Sequence, residues 1–223
     1  MKLFLLKLKK DSKGLEELAL SLLDEKLISK YKKRSDIDRV SSLTGLIMLS
    51  YVSFKGGLLG GDDEDFSEIT YEDLTDLEFK NHMEKGMFPS ELIFGKKGKP
   101  RFSGNEFYFN ISHSGNIIIL ATHKSEVGAD IQVIDDRPIE RIEPIAKKVF
   151  SEKILFEIKK EKDTFKKREI FYEYWTLREA YIKKLGESVF LEERLENLPE
   201  DIKIFKSIIR DGKDNYCVCV ISD

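Results

Sequence analysis

Two polar residues interrupt an apolar strand in the second half of the chain. Asp130 and Gln132 lie two apart in EVGADIQV (126–133), so both side chains point to the same face of the predicted strand. Burying a carboxylate there is costly unless it binds a cation or a hydrogen-bond donor. Oxygen ligands of this kind suit Mg²⁺, which keeps waters and substrate phosphates as its remaining ligands. The alternative is an edge position facing solvent.

A second candidate set lies on one face of the long predicted helix 168–185. Trp175, Glu179 and Lys183 are spaced four apart, and Arg178 adjoins them. An ordinary Glu–Lys helical ion pair would explain two of these residues. Trp175 is the only tryptophan, however, and the aromatic residues before it indicate a buried side of the helix. We therefore expect Glu179 and Lys183 at the boundary of the core or in a cleft.

The three histidines make a histidine-rich catalytic or metal site improbable. His113 stands out because it lies in NISHSG (110–115), where hydroxyls, an imidazole and backbone N–H groups could hold a phosphate at a strand end. An ordinary Asn/Ser/Gly turn is the alternative. A hydrolase triad is disfavoured because Ser112 directly precedes His113 and the chain has no G-x-S-x-G elbow.

Charge and composition limit the classes of molecule that the protein is expected to bind. The 223 residues contain 38 Lys and Arg against 41 Asp and Glu, for a net charge of −3, which disfavours duplex nucleic acid. The basic segments SKYKKR (29–34) and KKGK (96–99) could instead serve a small polyphosphate, although a solvated charged face is the default reading. No apolar run approaches the about 20 residues of a membrane span. Cys217 and Cys219 fit buried thiols in a reducing compartment, so we expect a cytoplasmic protein.

The elements that must position these residues form a mixed α and β pattern. The spacing predicts helices over 15–27, 36–54, 139–160 (interrupted at Pro144) and 168–185. Strands are predicted over 1–9, 91–94, 117–121 and 126–133, with a closing hairpin of 202–209 and 215–221. The glycine-rich acidic stretch 56–68 is predicted to be a loop. The order of elements indicates two halves, 1–124 and 125–223.

Four segments taken in order resemble a known family. They are GKP (98–100), FNISHSG (109–115), VGADIQ (127–132) and WTLREAYIKKLG (175–186). Their order and spacing are similar to those of the 4′-phosphopantetheinyl transferases, in the larger surfactin-synthetase-activating (Sfp) type. The resemblance spans most of the chain. It implies an α+β fold of two pseudo-symmetric lobes, each a small antiparallel sheet packed with helices, with the active site in the cleft between them.

The resemblance also implies an activity. The family transfers the 4′-phosphopantetheine arm of coenzyme A to a serine of an apo acyl- or peptidyl-carrier protein and releases 3′,5′-ADP. Mg²⁺ is required, with Mn²⁺ as a possible substitute, and the implied form is a monomer. A Mg²⁺-dependent phosphohydrolase of a nucleotide diphosphate, or a carrier- or coenzyme-A-binding module with a degenerate site, are the alternatives.

Roles follow from the resemblance position by position. Asp130 and Glu179 would bind the metal, Glu179 would also be the base for the carrier serine, and Lys183 would contact phosphate. The implied coenzyme A contacts are Lys96, Lys97, Gly98, Lys99, Asn110, Ile111, Ser112 and His113. Two positions depart from the family pattern. Gln132 stands where many members have Glu, so it would bind the metal directly, through water, or not at all. Leu27 stands where the family has a basic residue, for which Lys30 could substitute.

Overall fold

The computed structural model describes residues 1–8, 13–57, 65–85, 91–95, 98–104, 107–186 and 198–223. Within these ranges the chain divides into two compact units, Met1–Val127 and Gly128–Asp223. Each combines a small sheet with helices, which confirms the α+β class. Among the described helices, none is both long enough and apolar enough to cross a membrane.

The first unit is built on a four-stranded sheet in the order β2-β1-β6-β5. The strands are β1 (Lys2–Lys7), β2 (Asp65–Ile69), β5 (Tyr108–Ser114) and β6 (Ile117–His123). The expected antiparallel sheet contains one parallel pair, because β2 joins the edge of β1 in parallel, while the pairs β1–β6 and β5–β6 are antiparallel. The prediction for 117–121 is confirmed, since β6 lies between β1 and β5 and this run is completely buried.

Helix α3 (Asp36–Phe54) has the predicted bounds and packs against β5 and β6. Ser35 caps it by accepting a hydrogen bond from the Asp38 N–H. Arg39 donates to Asp36 at 2.9 Å and to Glu16 of helix α1 (Lys13–Leu22) at 2.8 Å, which links the two helices. Ile37, the first apolar residue of α3, is 68% exposed, because the first turn of the helix lies at the surface.

The helix predicted over 15–27 is two helices, α1 (Lys13–Leu22) and α2 (Glu25–Tyr31). Asp24 separates them: its Oδ1 accepts the Leu27 N–H at 2.8 Å and starts a new helix. The acidic loop expected over 56–68 ends earlier than predicted, at β2. The remaining elements of the first unit are α4 (Tyr71–Thr75), α5 (Leu77–Lys85), β3 (Leu92–Phe94) and β4 (Pro100–Phe102).

The second unit places a three-stranded sheet in the order β7-β9-β8 beside helix α8. Its elements are β7 (Val127–Val133), α6 (Ile139–Val149), α7 (Glu152–Lys160), α8 (Thr164–Leu185), β8 (Lys203–Asp211) and β9 (Asp214–Ser222). The predicted hairpin is confirmed: Asp211 pairs with Asp214 across a two-residue turn. Gly186 ends α8 with a φ of 66°, the left-handed backbone conformation that glycine commonly adopts at the end of a helix.

The interruption predicted at Pro144 is wrong. Helix α6 runs through Pro144 to Val149, and the break lies at Phe150 and Ser151. There Ser151 Oγ accepts the Ile154 N–H at 3.4 Å and caps α7. A capping side chain, rather than the proline, therefore sets the boundary.

The two cysteines are free and buried, as predicted. Burial is the main reason that the pKa of each thiol is raised from 9.0 to about 12. In the unfolded chain the thiols lose their protons near pH 9, whereas the folded chain keeps them. The folded state then holds more protons, so the free energy of unfolding falls as pH rises from about 9 to 12.

We expect this loss to be visible in urea unfolding between pH 8 and 11. Each thiol contributes a slope of up to about 1.4 kcal/mol per pH unit. The double variant Cys217→Ala/Cys219→Ala lacks both titrating thiols, so its free energy of unfolding should fall less steeply over the same pH range. Parallel curves for the two proteins would contradict the assignment.

Candidate functional site

Asp130 is the centre of the site in the second unit. It occupies the middle of β7, and the whole residue is 1% exposed. Lys183 Nζ of α8 lies 2.6 Å from Asp130 Oδ1, and Gln132 Nε2 donates to Asp130 Oδ2 at 3.3 Å. Both carboxylate oxygens therefore have donors from the chain itself. Although β7 is an edge strand of its sheet, Asp130 is buried, so the alternative of a solvent-facing side chain is excluded.

Glycine 128 makes the close approach of β7 and α8 possible. A Cβ placed at this position would lie within 2.9 Å of Lys184 Cα and nearer still to the Ala180 carbonyl oxygen. Only a residue without a side chain permits the strand backbone to lie so near the helix backbone. The short distance between β7 and α8 at Gly128 places the Lys183 side chain within hydrogen-bonding reach of Asp130.

Glu179 lies one helical turn before Lys183. Its pKa is raised above the ordinary value, first by burial and then by the negative charge of Asp130, while Lys183 and Arg178 lower it. The electrostatic effect of Asp130 indicates that the two carboxylates are close enough to repel. Arg178 donates from Nη1 to Glu179 Oε1 at 3.3 Å.

The prediction from the helix spacing was that Glu179 and Lys183 would pair with each other or lie at a boundary of the core. The structure places both at the boundary, half-buried, with Lys183 paired to Asp130 across the sheet–helix interface. Trp175 is also half-buried and stacks on Phe171, with ring centroids 5.8 Å apart. The sequence indicates Arg178 only by its position next to Glu179, whereas the structure shows that its buried guanidinium contacts the Glu179 carboxylate.

These residues fit a magnesium ion. The donor set is two carboxylates and one amide, all oxygen ligands, and Mg²⁺ in proteins commonly takes one or two carboxylates together with waters and substrate phosphates. A buried carboxylate pair whose charges repel is stabilised by a cation. Gln132 could supply its Oε1 only after its amide rotates away from Asp130. The site has only two carboxylates, and in the parts of the chain that the structure describes there is no group of three or more His, Cys, Asp or Glu side chains that could hold a metal.

The first unit holds the remaining predicted residues. Residues 110–113 lie within β5, not in a turn; the turn that follows begins at Gly115. Because side chains alternate along a strand, Ser112 and His113 point to opposite faces of the sheet. Ile111 packs in the core against α3, where its Cγ2 fills the space beside Gly45. The expected cradle of Ser112 and His113 side chains around one phosphate is therefore not formed by adjacent residues of β5.

The basic candidates of the first unit differ in their surroundings. Lys99 Nζ lies 2.8 Å from Glu126 Oε2 and 3.1 Å from the Val127 carbonyl oxygen. Lys30 is exposed, and its ammonium lies 3.5 Å from the centre of the Phe94 ring. Leu27 is buried in the core, so a basic residue at that position would not fit this packing. Gly98 has a φ of 84° in the β3–β4 turn, and Lys96 and Lys97 lie outside the described residues.

Comparison with known proteins bears on the same segment. Residues 126–218, which contain β7 and α8, match the family model described as the 4′-phosphopantetheinyl transferase superfamily. A 4′-phosphopantetheinyl transferase AcpT of Salmonella typhi is 38% identical over 102 residues, which cover 45% of this chain and 52% of the relative. The transferase HetI of Nostoc sp. is 31% identical over 118 residues, covering 50% of this chain and 48% of the relative.

A third relative, a 4′-phosphopantetheinyl transferase of Bacillus subtilis, is 31% identical over 109 residues, covering 48% of this chain and 46% of that protein. The chain thus spans about half the length of the curated relatives it matches. The family match includes Asp130, Gln132, Glu179 and Lys183, the residues that carry the site of the second unit. Residues 126–218 thus carry the signature of the 4′-phosphopantetheinyl transferase superfamily, which confirms the resemblance for the two motifs that they contain, VGADIQ (127–132) and WTLREAYIKKLG (175–186).

Proposed function

We propose that this chain transfers the 4′-phosphopantetheine arm of coenzyme A to a serine of an apo acyl- or peptidyl-carrier protein. The observation that carries the proposal is the buried Asp130 beside Glu179 and Lys183, inside the stretch that matches the superfamily. The proposal includes the Sfp type, dependence on Mg²⁺ or Mn²⁺, a cytoplasmic location and a monomer. The pseudo-symmetric lobes 1–124 and 125–223 remain a prediction.

The carrier serine oxygen forms a bond to the β-phosphorus of coenzyme A, and the bond from that phosphorus to the bridging oxygen breaks. The products are the phosphopantetheinyl serine and 3′,5′-ADP. The serine proton passes to a base. No nucleophile of the enzyme is needed, in agreement with the absence of a triad motif.

We assign the base to Glu179, because burial and Asp130 raise its pKa above that of an ordinary glutamate. A raised pKa makes the carboxylate a better proton acceptor. Asp130 and Glu179 would hold the metal, with Gln132 as a possible third ligand. When bound, the ion would neutralise charge on the diphosphate.

Lys183 would act on the same diphosphate through its ammonium, once that group is not held by Asp130. In the first unit, we propose that Asn110, Ile111, Ser112 and His113 contact coenzyme A. Because Ser112 and His113 point to opposite faces of β5, these contacts would include backbone groups of the strand and not both side chains. Gly98, Lys99 and the preceding Lys96 and Lys97 would serve its nucleotide end. Lys30 is the proposed substitute for the basic residue that Leu27 replaces.

The test is a transfer assay with a panel of apo carrier proteins. The protein, coenzyme A and Mg²⁺ should give a carrier that gains the mass of one phosphopantetheine arm, and chelation of the metal should prevent the gain. Breakdown of coenzyme A without a carrier would favour the phosphohydrolase instead. Coenzyme A binding without any turnover across the panel would favour a binding module with a degenerate site.

A further inference from the structure

The inference concerns Lys183 and rests on the proposed function of Asp130 as a metal ligand. A buried carboxylate is costly unless it is paired and hydrogen-bonded. The Asp130 side chain is 2% exposed, and its Oδ1 is paired at 2.6 Å with the Lys183 ammonium. The chain therefore supplies its own cation at the position where a metal ligand is proposed.

The neighbouring carboxylate has its own cation as well. Arg178 Nη1 lies 3.3 Å from Glu179 Oε1, and the Arg178 side chain is buried. Two carboxylates and two cations together carry no net charge. A divalent ion entering this group would meet two positive charges at short range, so one of them must withdraw for the ion to bind tightly.

Lys183 is the cation that can withdraw. Its side chain is 31% exposed, against 9% for Arg178. A lysine also carries its ammonium on a flexible four-carbon stem, whereas Arg178 is held in a planar, buried arrangement. Asp130, short and fixed in the interior of β7, cannot follow the lysine outward.

We propose that Lys183 is the resident counter-cation of Asp130 and competes with the divalent metal for it. Metal binding then releases the Lys183 ammonium, which becomes available to an anionic ligand such as a diphosphate. Binding of the metal and of the polyanion is consequently coupled through one side chain, and the coupling is reciprocal. Lys183 acts as a positioning residue for Asp130 before the metal binds and as an anion ligand afterwards.

The first test measures Mn²⁺ binding to the free protein, without coenzyme A, by titration calorimetry. Lys183→Met removes the competing charge and retains much of the stem, so we expect Mn²⁺ to bind about tenfold more tightly than to the wild type. Lys159→Met, an exposed lysine of α7, is the matched control and should leave the affinity unchanged. Adding 3′,5′-ADP should tighten Mn²⁺ binding to the wild type by a factor in the range of about 5 to 150, and by much less in Lys183→Met.

A second measurement uses the wild type alone, because Lys183→Met could destabilise the fold by leaving Asp130 unpaired. Reductive methylation followed by peptide mass spectrometry reports how available each lysine is. Mg²⁺ should increase labelling of Lys183 relative to Lys159, whereas Na⁺ at equal ionic strength should not.

Equal or weaker Mn²⁺ binding in Lys183→Met, or no binding to either protein, would overturn the competition. So would labelling of Lys183 that is insensitive to Mg²⁺. The carrier assay separates these failures from failure of the proposed function: transfer that persists while competition is absent refutes only the role of Lys183 as counter-cation. If competition is present but no carrier is modified, the role of Lys183 stands and the proposed acceptor is wrong.

Discussion

The variant Glu179→Gln is expected to lose phosphopantetheinyl transfer by about a thousandfold while still binding coenzyme A. The amide keeps the size of the side chain but cannot accept the serine proton, and general-base catalysis typically contributes about 10² to 10⁴ in rate. Loss of a charged metal ligand adds to the defect. The measurement is single-turnover transfer to an apo carrier at saturating coenzyme A, followed by mass spectrometry of the carrier.

Glu173→Gln is the control for this substitution. Glu173 lies on the same helix, α8, and contributes no ligand to the Asp130 group, so the same chemical change there should leave transfer within a few-fold of the wild type. Coenzyme A affinity, measured by calorimetry, should change by less than about tenfold in Glu179→Gln, because the amide removes an interaction used mainly in the transition state. Transfer at the wild-type rate in Glu179→Gln would remove Glu179 from the role of base.

The second large effect is expected at Gly128. In Gly128→Ala the new methyl group would collide with the backbone of α8 at Ala180 and Lys184, within 2.9 Å of Lys184 Cα and closer to other backbone atoms. Backbone atoms cannot rotate out of the way, so the strand or the helix must shift. Overpacking typically costs 1–3 kcal/mol, and we expect about 3 kcal/mol or more here because the obstacle is backbone.

The shift would also separate β7 from α8 at the site. Asp130 lies two residues beyond Gly128, and Lys183 directly precedes Lys184, so the 2.6 Å contact between them should lengthen. We therefore expect Gly128→Ala to lower transfer as well as stability. Urea unfolding measures the loss of stability. The carrier assay, under conditions where the variant is fully folded, measures the loss of transfer.

Gly45→Ala provides the comparison, because its new Cβ would meet Ile111 Cγ2 at 2.5 Å. That obstacle is a side-chain methyl group, which can move by a change of rotamer, so the cost should be smaller than at Gly128. If Gly128→Ala lowers the free energy of unfolding no more than Gly45→Ala does, then α8 can shift at little energetic cost, and the distance between β7 and α8 is not fixed.

How far the sequence predicts the fold depends on whether local signals decide an element. The bounds of α3 were predicted from its long apolar repeat, and in the structure Ser35 caps the start of the helix. The C-terminal hairpin and the end of α8 were predicted from Asp-Gly and glycine signals that act within a few residues. The break at Asp24 was missed, because a cap inside a continuous apolar pattern changes no hydrophobic periodicity. Strand β2 was missed within a polar stretch, since its place at the edge of β1 is a tertiary pairing.

The candidate site divides in the same way. The sequence by itself determined the residue types and the faces they share: Asp130 with Gln132 on a strand, and Glu179 with Lys183 on a helix. It also carried the resemblance that the family match confirms over residues 126–218. These features follow from chain periodicity, which is a local property.

Only the tertiary structure decided which of these groups meet. The pairing of Lys183 with Asp130 rather than with Glu179, and the separation of Ser112 from His113 on opposite faces of β5, depend on how strands and helices pack. The close approach at Gly128 brings residues 53 positions apart in the chain to hydrogen-bonding distance. Because long-range contacts of this kind leave no periodic signal, the self-neutralised arrangement of carboxylates and cations became visible only in three dimensions.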